Sequence, residues 1–195
     1  DLRIYVYDIA KGALADEYFT VRLEMPSQTV DKASLTDVSG TRVYPDAVPP
    51  PAGPASIGEL KAVNDRQFLL IERDNHGDAL APPRFKKVFL LDASPSARDG
   101  RHVRKTGLVD LLAIPDPSGI GGEGDLFGLP FFTIESVHVV DAHTVLVASD
   151  NNFPFSNGRA RSRGADRSGP LTADATELIL VRVGVALEVD GRLLP

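Results

Sequence analysis

Apolar and polar residues alternate along most of the chain in short runs, and residues typical of turns bound those runs. Alternation with a period of two is the pattern of a strand with one buried face, and β-branched and aromatic side chains strengthen it. The predicted strands are residues 2–9, 18–23, 57–63, 67–72, 87–92, 102–111, 133–140 and 144–149, with a last pair at 181–185 and 187–189. Helical periodicity is almost absent, so the pattern predicts an all-β fold.

Three segments carry too much proline, glycine or polar sequence for a regular strand. Residues 45–54 are rich in proline, which lacks the amide hydrogen that an inner strand needs, and they predict a stiff loop or linker. Residues 115–130 are rich in glycine and proline and are predicted to be loop, and residues 156–175 are predicted to be a polar loop insertion. Residues 1–195 are then a single β domain or a fragment of a larger one.

Two predicted hairpins resemble each other at a constant offset, without a gap. The matched positions are Glu59 with Glu135, Val63 with Val139, Asp65 with Asp141, Leu70 with Leu146, Asp74 with Asp150, and Asn75 with Asn151. A repeated antiparallel unit predicts the blades of a β-propeller, and a β-sandwich is the alternative. Only about two to three blades are visible, whereas propellers close with roughly four to eight. Missing N-terminal blades or another chain are therefore expected to complete a partial propeller.

Composition narrows the classes of function. The 195 residues carry a net charge of −6, which argues against nucleic acid as a partner. There is no cysteine, which excludes disulfides, thiolate metal sites and cysteine nucleophiles, and no apolar run is long enough to span a membrane. The glycine-rich run 119–125 lacks the Lys-Ser/Thr of a phosphate-binding loop, and no organic cofactor is expected. Because the chain opens at Asp1 without a leader, we expect a removed leader or a piece of a longer chain.

Several segments together resemble the "esterase-like activity of phytase" family. The most specific are Phe-Thr-Ile-Glu-Ser-Val at 132–137 and Asp-Asn-Asn-Phe-Pro-Phe-Ser at 150–156, and the others are 69–74, 86–92, 108–117 and 176–178. The resemblance covers roughly residues 55–185. It implies a propeller-like fold, export to the periplasm or medium of a bacterium, and a hydrolase that acts on phosphoester or carboxylester substrates.

Acidic and amide side chains at the strand ends are the candidate metal ligands. Asp150 and Asn151 directly follow an apolar strand, and with Glu72 and Glu135 they offer the oxygen ligands that Ca²⁺ or another divalent cation prefers. The alternative is that Asp and Asn at these positions cap turns through hydrogen bonds to the backbone.

Two carboxylates and two cations are the candidate reactive residues. Glu135 and Glu72 are predicted to be catalytic, as a general base or through a metal, and the alternative for Glu135 is a structural ion pair with Arg73. Arg73 and Lys86 are predicted to bind a small anionic or ester substrate, and the alternative for Lys86 is a solvated strand edge.

Three functions remain open from the sequence. The first is the exported hydrolase, and the second is a non-catalytic propeller that binds a ligand or a protein partner. The third is purely structural, with the acidic residues serving as turn caps. The run Arg-His-Val-Arg at 101–104 lacks the glycine of the histidine acid phosphatase motif, and no Gly-x-Ser-x-Gly elbow is present.

Overall fold

A computed structural model of the chain describes residues 1–25, 55–77, 83–121, 124–152 and 175–194. Its strands are β1 (Leu2–Asp8), β2 (Ala13–Val21), β3 (Ser56–Ala62), β4 (Gln67–Arg73), β5 (Lys86–Asp92), β6 (Arg104–Asp110), β7 (Ile114–Pro115), β8 (Leu126–Phe127), β9 (Thr133–Asp141), β10 (Thr144–Asp150) and β11 (Leu178–Arg182). A 3-10 helix at Gly191–Leu193 is the one helical element in these ranges. The all-β prediction is confirmed. No helix in the described ranges is long and apolar enough to cross a membrane.

The strands form antiparallel sheets in which neighbours along the chain are neighbours in space. The larger two have the orders β3-β4-β5-β6 and β11-β10-β9, and β1 with β2 and β7 with β8 form two-stranded sheets. None of the sheets closes into a barrel or ring within the described residues. The propeller therefore stays a prediction, while the repeated up-and-down order agrees with the blade-like units inferred from the sequence.

Two local predictions are wrong. The expected strand pair near the C-terminus is a single strand, β11, because the backbone after it bonds to the turns of the two hairpins: Leu187 N donates to Ala142 O (2.7 Å) and Asp190 N donates to Val63 O (3.0 Å). In the described residues 115–121 and 124–130, the segment is loop except for the short β7–β8 pair. The predicted loop 45–54 lies outside the described residues, as does 156–174 of the predicted insertion.

The four-stranded sheet is covered by apolar side chains on both faces. Leu69 and Ile71 of β4 belong to a core shared with β9, β10 and β11, which includes Val147. Leu70, between them, points the other way into a second core with Val21 of β2. Successive side chains of a strand point to opposite faces, so one strand contributes to two cores. Three sheets thus pack face to face, with β3–β6 in the middle.

The two similar hairpins differ in pairing by two residues. Leu70 pairs with Leu60, and Leu146, its counterpart, pairs with His138 instead of Ser136. The cause is turn length, since four residues separate β3 from β4 and two separate β9 from β10. A slip of two residues keeps every side chain on its original face, so the two hairpins keep the same pattern of inward and outward side chains.

The two hairpins meet where β3 lies against β9, a contact that we call the β3–β9 seam. At Gly58 the backbones approach so closely that a Cβ atom would overlap the carbonyl oxygen of Ile134. The pairing register shifts at Glu59 in the first hairpin and at Glu135 in the second. Such bulges redirect side chains. Glu59 accepts a hydrogen bond from the backbone N–H of Val137, which ties the two sheets together.

Candidate functional site

The strand ends with polar side chains lie along one edge of the two larger sheets. Arg73 pairs with Lys86, and Thr133 pairs with Asp150. The carbonyl oxygen of Phe132 accepts hydrogen bonds from Lys86 Nζ (3.2 Å) and Arg73 Nη1 (3.4 Å), so it links the two strand ends. The side chains that meet here are those of Arg73, Asp74, His76, Lys86 and Glu135, and we call them the strand-end cluster.

Lys86 is fully buried at the centre of the strand-end cluster. Its ammonium donates to the carbonyl oxygens of Asp74 (2.8 Å), His76 (2.8 Å) and Phe132 (3.2 Å), and Oδ1 of Asp74 lies 2.7 Å away. An ammonium has three N–H donors, and the three carbonyl oxygens accept them, so Asp74 Oδ1 is an ion-pair neighbour without a hydrogen bond of its own. Lys86 therefore holds together three chain segments, and its predicted role in substrate binding stays a prediction.

Asp74 is equally buried and organises the return of the chain from β4 to β5. Its Oδ2 accepts hydrogen bonds from the backbone N–H groups of Arg84 (2.8 Å) and Phe85 (3.1 Å), and Nδ1 of His76 lies 3.6 Å from it. Its Oδ1 faces the Lys86 ammonium. A buried carboxylate is stable only with such partners, so Asp74 combines the cap of a turn with a buried ion pair.

Arg73 carries the cluster's second cation, and only a tenth of its side chain is exposed. Nη1 donates to Oδ1 of Asn75 (2.7 Å) and to the Phe132 carbonyl, while Nη2 lies 3.6 Å from Oε1 of Glu135. The buried Nε has no hydrogen-bond partner. Burial lowers the pKa of Arg73, and the carboxylates of Glu135 and Asp74 oppose that shift.

Glu135 is the cluster residue that solvent can reach. Its side chain is 49% exposed, and it lies at the bulge of β9 beside Arg73. The ion pair with Arg73 that the sequence left open is present. The catalytic role predicted for Glu135 stays a prediction.

Glu72 lies on the opposite face of β4, away from the strand-end cluster. Its Oε1 accepts from Lys105 Nζ (2.8 Å), and its Oε2 accepts from the backbone N–H of Glu24 (2.8 Å). Glu24 also pairs with Lys105 (3.0 Å), and the Glu72 side chain is fully buried. Glu72 thus attaches the chain segment after β2 to the four-stranded sheet, and the structure does not bring it together with Glu135.

Asp150 ends β10 in an exposed turn. Its Oδ1 accepts a hydrogen bond from Asn152 N (3.0 Å), and the backbone of Asn152 has a positive φ of 45°. The side chain of Asn152 donates to Thr133, across the strand pair. This is the capped turn that the sequence offered as the alternative to a metal ligand, and Asn151 follows within it.

The comparisons with known proteins identify the family. A family model described as "Phytase-like: Esterase-like activity of phytase" matches residues 1–153. The chain belongs to this family. The match begins earlier than the region 55–185 on which the resemblance rested, and it includes β1 and β2 as well as both hairpins. Comparisons with curated proteins and with solved structures gave no match.

The four predicted metal ligands of this phytase-like chain do not converge. Both oxygens of Glu72 are used by other partners on the far face of β4, and Asp150 caps its own turn. Within the described ranges, no three His, Asp or Glu side chains are grouped to hold an ion. The predicted set of Glu72, Glu135, Asp150 and Asn151 therefore does not fit a divalent cation in this arrangement, and no step is derived through one.

The burial of Lys86 predicts a pH dependence of stability. Burial lowers the pKa of Lys86 from 10.5 to about 8, although the Asp74 carboxylate opposes the shift. Between these two values the unfolded chain binds more protons than the folded one, so stability rises with pH in that window. We expect the free energy of unfolding of the wild type, relative to Lys86→Met, to increase from pH 8 to pH 10.5, as measured by urea unfolding. A difference that stays flat or decreases would contradict this account.

Sequence reasoning missed some of the residues that hold this edge together. His76 is engaged in it, and Lys105 binds Glu72 on the opposite face of β4, yet neither lies in a recognisable motif. The Lys86-Lys87 pair resembles a solvated strand edge, although only Lys87 is partly exposed. One available signal was the placement of Asp74 at the end of β4, three residues after its continuous apolar run, where a carboxylate needs a buried partner.

Proposed function

We propose that this phytase-like chain is an exported bacterial hydrolase of phosphoester or carboxylester substrates, with Arg73 and Glu135 at its reactive centre. The observation that carries the proposal is the juxtaposition of a nearly buried guanidinium and a half-exposed carboxylate, 3.6 Å apart, at the edge of both hairpins. Membership of the family supports the hydrolase class, and export is part of the proposal.

Arg73 supplies the positive charge in the proposed reaction. Its guanidinium is held in place by Asn75 and by the Phe132 carbonyl, and a fixed donor in a partly buried site stabilises developing negative charge more than a mobile one in water. We assign Arg73 to the non-bridging oxygen of the scissile ester. That oxygen would compete with Glu135 for Nη2.

Glu135 supplies the base. Its carboxylate takes a proton from water, and the oxygen of that water attacks the phosphorus or the carbonyl carbon while the bond to the leaving alcohol breaks. The protonated Glu135 then returns its proton to the leaving oxygen, so the cycle balances with water as the only co-reactant. The bulge at Glu135 redirects this side chain away from the regular alternation of β9.

The proposal is tested with 4-nitrophenyl phosphate and 4-nitrophenyl acetate. We expect Glu135→Gln to lower kcat/KM by about a hundredfold or more, because the base is lost. Arg73→Lys is expected to lower it by about tenfold or more, because one ammonium replaces the planar guanidinium. The matched control is Glu17→Gln, since Glu17 forms a similar pair with Arg98 (3.5 Å) elsewhere, and it should leave turnover unchanged.

Two outcomes would contradict the hydrolase. One is turnover in Glu135→Gln equal to that of the wild type, and the other is no turnover above buffer in the wild type. The second outcome, combined with binding of a phosphoester that depends on Arg73, would support the non-catalytic binding module instead. That second function is favoured by the fixed guanidinium of Arg73, which Asn75 and the Phe132 carbonyl hold in place and which can bind an anion without a base.

A further inference from the structure

The outer face of the β1–β2 hairpin carries arginine and tyrosine side chains in register. Arg3 pairs with Thr20, and Tyr5 pairs with Tyr18. The alternate residues of both strands, including Ile4, pack into the second core. Since side chains of a strand alternate between faces, these four residues share the face turned away from the core. The rings of Tyr5 and Tyr18 lie 5.8 Å apart, and Tyr5 is 56% exposed.

A second segment fixes Arg101 on this face. Thr20 N donates to Arg101 O (2.8 Å), and Val103 N donates to Thr20 O (3.0 Å), so residues 101–103 lie along β2. The guanidinium carbon of Arg101 is then 4.1 Å from the centroid of the Tyr18 ring, and that of Arg3 is 5.4 Å from the same centroid. Two guanidinium groups therefore share one aromatic ring.

These two guanidinium groups have no carboxylate within ion-pair distance in the part of the chain that the structure describes. Tyr5 and Tyr18 are the groups that act on the pKa of Arg3, and they raise it. Arg98 provides a contrast: it also lies over a ring, that of Phe19 (5.3 Å), but it pairs with Glu17. Two like charges held on one ring repel each other, and a bound anion removes that cost.

The neighbouring imidazole of His102 lies beside this face and contacts an acidic side chain. His102 Nδ1 lies 2.9 Å from the hydroxyl of Thr20, and its Nε2 lies 4.0 Å from a carboxylate oxygen of Asp1. The Asp1 carboxylate thus faces His102. The guanidinium groups of Arg3 and Arg101 remain available to a ligand.

We propose that Arg3 and Arg101 bind the phosphoryl group of a small phosphate ester, whose organic part lies on the exposed ring of Tyr5 beside the partly buried ring of Tyr18. Guanidinium groups match the geometry of phosphate oxygens bidentately, and aromatic faces accept an apolar or aromatic substituent. The site lies on the other side of the four-stranded sheet from Arg73 and Glu135, because β1 and β2 cover the face of β4 that carries Leu70. It does not rest on the proposed hydrolysis.

The test is calorimetric titration of the full chain at low ionic strength with phenyl phosphate, inorganic phosphate and benzoate. We expect phenyl phosphate to bind most tightly and benzoate not to bind. Arg3→Gln and Arg101→Gln should each weaken phenyl phosphate binding by about tenfold, and the double variant should abolish it. Arg98→Gln is the matched control and should bind like the wild type, because its guanidinium already has a carboxylate partner.

Three other outcomes would contradict the proposed ligand or the proposed site. Equal affinity for inorganic phosphate and phenyl phosphate would overturn the ester. A loss in Arg98→Gln as large as that in Arg3→Gln would overturn the site, since it would show general attraction to positive charge. Undiminished binding in the double variant would do the same. All three arginines are at the surface, so equal urea midpoints for the variants and the wild type establish that the fold is intact.

Discussion

Lys86→Met is expected to remove most of the stability of the fold at neutral pH. The substitution keeps the length of the side chain but leaves the buried carboxylate of Asp74 without its cation, and it removes the lysine donor from the carbonyl oxygens of Asp74 and His76. Breaking a buried ion pair by removing one partner costs about 3–5 kcal/mol. Domains have only about 5–15 kcal/mol in total, so urea unfolding should show a large decrease in the free energy of unfolding.

The neighbouring lysine is the control for this result. Lys87 is 38% exposed and pairs with Asp110 at 3.3 Å on the surface. Such pairs contribute about 0–1 kcal/mol, so Lys87→Met should change the urea midpoint little. A Lys86→Met variant as stable as Lys87→Met would show that the ammonium does not hold the three segments together.

Gly58→Ala is expected to open the β3–β9 seam. A methyl group there would overlap the Ile134 carbonyl oxygen and lie 2.9 Å from Cγ2 of Ile71, so backbone has to move on at least one side. Overpacking of a tight contact costs about 1–3 kcal/mol, and a displaced backbone places this case at the upper end. The measurement is the free energy of unfolding in urea.

Gly107 of β6 provides the matched comparison. It is also a glycine within a strand, but a Cβ atom at this position meets nothing within 4 Å. Alanine restricts the unfolded chain, so Gly107→Ala should leave stability unchanged or raise it by about 0.4–1 kcal/mol. If both substitutions have the same effect, the seam is not as closely packed as the structure shows.

The strands were predictable from the sequence because each of them is buried either on one face, which gives alternation, or on both faces, which gives a continuous apolar run. β9 and β10 alternate between buried and exposed positions, which is the pattern read from the sequence. β4 is instead apolar through Phe68–Ile71, and its two cores explain that continuous run. The first hairpin, β1–β2, was predicted as a pair, although β2 begins at Ala13, earlier than its aromatic residues indicated.

The pairing register of the second hairpin could not be predicted by aligning the two hairpins at a constant offset. Glu59 and Glu135 do correspond, and both lie at bulges, as their matched positions imply. The two-residue slip leaves the apolar pattern unchanged, so alternation could not reveal it. Turn length decided the register, and the sequence alone did not fix where each turn closes.

The candidate site was located more accurately than its chemistry was assigned. The polar residues that follow both hairpins do lie on one edge, and Arg73 does meet Glu135 there. Asp74 and Asp150 occupy matched positions, yet the first is buried and the second is exposed. Their burial differs because a third strand, β5, places Lys86 beside Asp74. A partner from a distant part of the chain gives no signal in the local sequence.

The β3–β9 seam also bears on how the chain folds. The hydrogen bond from Val137 to Glu59 joins residues 78 positions apart, whereas each hairpin pairs residues close in sequence. Closing a long loop costs conformational entropy before any contact compensates for it, so local hairpins form on a faster timescale than their docking. Until Gly58 reaches Ile134, each hairpin has an open apolar face. We therefore expect the slow step in folding to be the encounter of two preformed sheets, and the glycine at their contact to govern how easily that encounter succeeds.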